Sequence, residues 1–133
     1  MIDTNTVSYI IKGTSRASRA TLAGLQHDEI ACISVITEAE LNYGLAKSPN
    51  AKNLRPAIEG FLGKGQILPW GRDEGQAYGR LRAIQEAAGE TLGSLDMLIA
   101  AHAVSIGAIL VTNDKAFSHV PNLSGFMNWA TDR

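Results

Sequence analysis

Gly93-Ser94-Leu95-Asp96-Met97-Leu98-Ile99-Ala100-Ala101-His102-Ala103 reads as the opening turns of a buried helix, with Ser94 as N-cap and no glycine or proline before Gly107. Asp96 is its one acid. Ala100 and Ala103 fall on the same helical face, so small side chains leave space beside that carboxylate. The helix dipole favours an anion in the first turn, and taken alone this is the more ordinary account of Asp96. Beyond Gly107 comes Ala108-Ile109-Leu110-Val111, the clearest buried strand of the chain. Alternation of helix and strand implies a parallel sheet with helices on both faces, and the rest of the chain repeats it.

Upstream, Ile30-Ala31-Cys32-Ile33-Ser34 is a second buried strand, and from Val35 the period becomes helical. Ile36, Glu40 and Tyr43 share one face of that helix, Leu41 and Leu45 flank it, and Ser48-Pro49 ends it. Met1-Ile2-Asp3 has the character of the tail of a very short strand, short enough to expect residues before it, followed by a helix from Thr4 or Asn5 to Ile11. Ser15 caps a short helix carrying Ala20, Leu22 and Leu25. Leu54 to Leu62 forms another, with Pro56 in its first turn. Gln66 to Pro69 is a short strand at a sheet boundary. Asp73 to Ala88 is amphipathic, with Ala77, Leu81, Ile84 and Ala88 as its apolar stripe and Gly89 as its stop. Pro121 to Trp129 adds an edge strand and a loop. The expectation is one α/β domain over residues 1–133, without repeats or linkers.

Composition narrows the class. The 133 residues are 45% hydrophobic and 19% charged, which excludes a disordered chain. A net charge of −1 excludes a general basic coat, so any surface for nucleic acid is local. Lys12, Arg16, Arg19, Lys47, Arg80 and Arg82 are the cations available to steer phosphates, and none ranks as a site residue. The one cysteine, Cys32, permits no disulfide framework within the chain. Neither a signal peptide nor a membrane-spanning run is present in the sequence, so a cytoplasmic protein without membrane contact is expected.

In open α/β sheets, ligands bind outside the carboxyl ends of the strands. Asp3 and Asp114 each follow a strand. Glu40 lies on the apolar face of the helix leaving another, where an uncompensated charge is costly. Asp96 is the fourth acid. Each has an ordinary alternative: Asp3 as a helix cap, Asp114 shaping a turn with Asn113, Glu40 partly exposed. Four carboxylates facing one crevice repel and raise one another's pKa values, and a divalent cation resolves that conflict. Carboxylates and water suit Mg²⁺ or Mn²⁺. Zinc does not fit, because Cys32 is isolated and His27, His102 and His119 lack ligand spacing. His102, six residues after Asp96, reads as a structural polar group. No Gly-x-x-x-x-Gly-Lys phosphate loop precedes a helix. Metal-assisted hydrolysis of a phosphodiester remains, with the cation activating water and stabilising charge on a phosphoryl oxygen.

Ile2-Asp3-Thr4-Asn5 resembles the opening motif of PIN-domain ribonucleases. Ser34-Val35-Ile36-Thr37-Glu38-Ala39-Glu40-Leu41-Asn42-Tyr43-Gly44 resembles their second motif, with Glu40 rather than Glu38 as the site acid. Asp96 to Ala103 resembles the third and Val111-Thr112-Asn113-Asp114 the fourth. Phe117 followed by Val120-Pro121 continues the likeness, which spans nearly the whole chain. Each motif is loose; the four in order are specific. The Leu-Ile-Ala-Ala-His-Ala run and the Tyr-Gly of the second motif make the chain similar to VapC toxins of bacterial type II toxin–antitoxin pairs. The resemblance implies a three-layer PIN-like fold with a short, mainly parallel central sheet. It implies a Mg²⁺- or Mn²⁺-dependent endoribonuclease cutting a structured RNA, often tRNA. A homodimer and a small VapB-like antitoxin that blocks the site are implied as well. Carried over, Asp3, Glu40, Asp96 and Asp114 are the catalytic acids. Asp3 and Asp96 hold the ion, Glu40 does so directly or through water, and Asp114 completes the site or assists a second ion. Asn5 and Thr112 orient the carboxylates.

Two other readings compete. One is a catalytically idle PIN-like module that binds RNA or protein, which the intact acid set argues against. The other is a PIN nuclease outside toxin–antitoxin systems, which an adjacent short gene for a DNA-binding antitoxin would separate from the first.

Overall fold

A computed structural model of the chain describes residues 1–90 and 92–131. In chain order the elements are α1 (Thr4–Lys12), α2 (Arg16–Ala23), β1 (Cys32–Ser34), α3 (Val35–Lys47), α4 (Leu54–Leu62) and β2 (Gln66–Leu68). They continue with α5 (Arg72–Ala87), α6 (Ser94–Ile106), β3 (Leu110–Val111), a 3-10 turn (Lys115–His119) and β4 (Phe126–Met127).

The sheet is short and parallel, as expected. β1 pairs with β2 and β3 with β4, both in parallel. Residues 1–3 lie between the two pairs. Ile2 bridges Val111 in parallel, its N–H donates to the Cys32 carbonyl at 2.9 Å, and the Asp3 N–H donates to Val111 at 2.9 Å. The short N-terminal strand is therefore central, giving the order β2, β1, residues 1–3, β3, β4.

Side chains alternate across a sheet, and the two faces divide the core accordingly. Met1, Cys32 and Leu110 pack with Ala77 and Leu81 of α5 and with Met97, Ile99, Ala100, Ala101 and Ala103 of α6. Ile2, Ile33 and Val111 pack with Val7 and Ile10 of α1, Leu41 and Leu45 of α3 and Ile58 of α4. Three layers result. The same parity places Asp3, Ser34 and Thr112 on the α6 side at the carboxyl ends of their strands.

Several local expectations need correction. Gly93, not Ser94, is the N-cap of α6: its backbone is extended, it makes no side-chain cap bond, and its carbonyl accepts from the Met97 N–H at 2.9 Å. Ile30 is 69% exposed and Ile109 is 48% exposed, so the strands begin at Cys32 and Leu110. Hydrophobic runs overstate strand length where the chain is still entering the sheet. The buried side of α3 is Thr37, Leu41 and Leu45, while Tyr43 points to solvent, so Glu40 lies beside the core rather than within an apolar face. On α5 the buried stripe is Ala77, Leu81 and Gln85. Gln85 displaces Ile84 because its amide donates to the His119 carbonyl at 2.8 Å, anchoring the 3-10 turn. The tail supplies one short strand, β4, followed by the buried Trp129.

Candidate active site

The four acids come from four separate elements at the carboxyl end of the sheet. Asp3, 2% exposed, is the N-cap of α1; its Oδ1 accepts from the Thr6 N–H at 2.9 Å. Its Oδ2 accepts from the Thr112 hydroxyl at 2.6 Å. The Thr112 oxygen in turn accepts from the Asp114 N–H at 3.0 Å, joining the ends of two neighbouring strands. Asp114 Oδ1 caps the 3-10 turn through the Ala116 N–H at 2.9 Å. The ordinary roles weighed for Asp3 and Asp114 thus operate, alongside their place in the site.

Glu40 is held by a residue that sequence reasoning missed. The Thr4 hydroxyl donates to Glu40 Oε1 at 2.6 Å. That uses its only proton, so at the 3.1 Å contact between Thr4 and Thr37 it is Thr37 that donates. Asn5, expected to orient the carboxylates, is exposed and has no hydrogen bond to any of them. A helical register explains the exchange: Thr4, the first residue of α1, faces α3, and Asn5 turns outward. The signal was present in Thr4 itself, a hydroxyl next to Asp3.

Asp96 stands apart. No described residue donates a hydrogen bond to its carboxylate, which projects from the first turn of α6 past Gly93. Its pKa is raised, first by burial and then by the charges of Asp3, Glu40 and Asp114. The charges of the other three acids therefore reach Asp96. Among the described residues no lysine or arginine forms an ion pair with any of the four.

The group is looser than the sequence suggested. Among the described residues no three His, Cys, Asp or Glu side chains converge into a ready cluster of metal ligands. Like charges without a counterion lie apart. The donor set nonetheless fits a hard divalent cation. It is all oxygen, it lacks a compensating positive charge, and Asp96 is free to turn toward an ion. Mg²⁺ in particular retains several waters and takes only one or two carboxylates directly. His102 is no part of this set; it is fully buried on the other side of α6, with Nδ1 2.8 Å from the Ser34 hydroxyl. Of the cations available to steer phosphates, Arg19 is engaged with the Ile10 and Ile11 carbonyls and Arg82 with Glu86.

The family model for the PIN domain matches residues 1–123. The chain belongs to the PIN-domain family. Within it the chain falls among the VapC ribonucleases. It is 35% identical to ribonuclease VapC2 of Rickettsia felis over 130 residues, covering 97% of this chain and 96% of that one. It is 33% identical to the tRNA(fMet)-specific endonuclease VapC of Salmonella typhimurium, covering 92% of each. The solved VapBC2 structure from Rickettsia felis, bound to a DNA fragment from its promoter, superposes with a TM-score of 0.90 at 34% identity over 97% of each chain. The PIN fold, its parallel sheet and the VapC relationship expected from the motifs are all borne out.

Proposed function

We propose that residues 1–133 form one PIN domain acting as the endoribonuclease toxin of a toxin–antitoxin pair. Its catalytic acids are Asp3, Glu40, Asp96 and Asp114, and its cofactor is Mg²⁺ or Mn²⁺. The observation that carries the reading is the placement of four acids from four elements at the carboxyl end of the sheet, where among the described residues no lysine or arginine pairs with any of them; burial first, and then the charges of the other three, raise the pKa of Asp96.

Asp3 and Asp96 would hold the ion, with Glu40 reaching it directly or through water, and Asp114 would complete the site or assist a second ion. When bound, the cation supplies Lewis-acid stabilisation of charge on the scissile phosphate and lowers the pKa of water. The chain's own work is orientation. Thr112 fixes the plane of the Asp3 carboxylate, Thr4 fixes Glu40, and the backbone N–H groups of Thr6 and Ala116 hold Asp3 and Asp114. A phosphodiester fits better than a carbonyl substrate, because an uncompensated acid group needs cations and polyanions bring a phosphate that shares them.

The substrate we propose is tRNA, in keeping with the name of the Salmonella relative. The partner is a VapB-like antitoxin, as in the VapBC structures, and we propose that the toxin acts as a homodimer. A cytoplasmic setting suits Cys32, which is buried and unpaired. Among the described residues no helix is long and apolar enough to cross a membrane. Purified protein incubated with a bacterial tRNA pool and Mn²⁺ is expected to yield a discrete pair of fragments. Intact tRNA alongside specific cleavage of another RNA would reassign the substrate. No cleavage of any RNA would favour the idle binding module.

A further inference from the structure

The imidazole of His102 is fully buried, although every other buried residue of α6 is apolar. A leucine would fill such a place without a polar atom to satisfy. The ring instead joins a line of polar groups through the core. Ser34 ends β1 and caps α3, and its hydroxyl accepts from the Ile36 N–H at 3.1 Å. His102 Nδ1 lies 2.8 Å from that hydroxyl. On the other side, His102 Nε2 has no hydrogen-bond partner and faces Glu74 Oε1 at 4.0 Å, while Glu74 Oε2 accepts from the Gly71 N–H at 2.9 Å at the start of α5.

Ser34 has one proton and two lone pairs, of which Ile36 engages one, so its hydroxyl can serve Nδ1 in either direction. The Glu74 carboxylate, 4.0 Å from Nε2, decides between them: it favours a proton on Nε2, and the hydroxyl donates to Nδ1. The ring proton then sits on Nε2, toward the Glu74 carboxylate. Burial keeps the imidazole neutral by lowering its pKa. The line runs from the N-cap of α3, the helix of Glu40, through the middle of α6, the helix of Asp96, to the first turn of α5. Elsewhere α6 buries only apolar side chains, Met97, Ile99, Ala100, Ala101 and Ala103, whose contacts are non-directional. A hydrogen bond in the low-dielectric core adds a direction and a distance.

We propose that His102 and Ser34 are positioning residues that lock α6 to the start of α3 and so hold Asp96 and Glu40 at the spacing the metal needs. This rests on the metal-dependent reading of the acid site. Neither residue touches substrate or ion; they act through the two helices.

The test combines Mn²⁺ calorimetry with nitrogen-detected NMR on wild-type protein, His102→Leu, His102→Asn and Ser34→Ala. The wild-type imidazole is expected to be neutral with its proton on Nε2. Mn²⁺ affinity should fall about tenfold or more in His102→Leu and in Ser34→Ala. It should recover in His102→Asn, whose amide reaches the Nδ1 position. Combining His102→Leu with Ser34→Ala in one chain should cost no more than either substitution alone, because one interaction is removed once. Wild-type Mn²⁺ affinity in Ser34→Ala, or an Nδ1 signal that Ser34→Ala leaves unchanged, overturns the proposal even if His102→Leu fails to fold. Additive losses in the double variant overturn it too. Wild-type protein that binds no Mn²⁺ contradicts the metal-dependent reading itself, and the positioning role falls with it.

Discussion

Thr112 donates its hydroxyl proton to Asp3 at 2.6 Å across 109 positions of sequence, with both residues no more than 2% exposed. The bond crosses from the end of β3 to the end of the central N-terminal strand. It fixes a carboxylate that the fold has already buried. Thr112→Val keeps the shape, removes that donor and strands the Asp114 N–H. We expect a loss of about 1–3 kcal/mol in stability and about tenfold to hundredfold in cleavage. Melting curves and single-turnover rates check both. Wild-type cleavage by this variant would mean that Asp3 needs no orientation.

Thr4 and Asn5 make a paired test. Thr4→Val removes the bond to Glu40 and should slow cleavage about tenfold, while Thr4→Ser restores it. Asn5→Ala should retain wild-type stability, since the exposed Asn5 side chain makes no hydrogen bond among the described residues. A selective loss of activity in Asn5→Ala would point instead to substrate contact at that exposed amide.

Stability of the metal-free protein should depend on pH in two opposed ways. His102 has a lowered pKa, so the unfolded chain takes up a proton first. The stability this provides is complete above the ordinary value of 6.5 and is lost as pH falls below it toward the lowered one. Asp96 has a raised pKa, so the folded chain binds the proton more tightly. Its protonation stabilises the fold, and that gain disappears as pH rises from the ordinary 3.8 through the raised value. Melting curves from about pH 4 to about pH 8 should show the first slope flattened in His102→Leu and the second absent in Asp96→Asn.

Mn²⁺ should stabilise the native state. At a hundredfold excess over its dissociation constant, an ion that binds only the folded chain adds about 2.7 kcal/mol. Asp96→Asn should raise metal-free stability, by relieving repulsion, and abolish most of the Mn²⁺ effect. Identical melting with chelator and with saturating Mn²⁺ would mean that the acids form no metal site.

The acids were legible because each sits at a place that topology fixes. Asp3 and Asp114 follow strands, Asp96 opens a helix and Glu40 rides on another. Hydrophobic pattern recovered the order of helices and strands for the same reason, since burial on two faces leaves a strong periodic trace. It failed where a polar group belongs to the core. Gln85 and Thr37 are buried because partners lie nearby in space, His119 for one and Thr4 for the other, far away in sequence. The cap of α6 falls on Gly93 rather than Ser94, and the hydroxyl that orients Glu40 on Thr4 rather than the amide of Asn5, for a related reason. Either residue type suits several positions, and only the register of the turn decides which one faces the site.

Cleavage of total bacterial RNA, by wild-type protein and by Asp96→Asn, with Mg²⁺, with Mn²⁺ and with chelator, tests the central claim most directly. The account predicts a discrete fragment that requires both metal and Asp96, with the variant slower by on the order of a hundredfold or more. Cleavage that persists at the wild-type rate in chelator, or in Asp96→Asn, would contradict it.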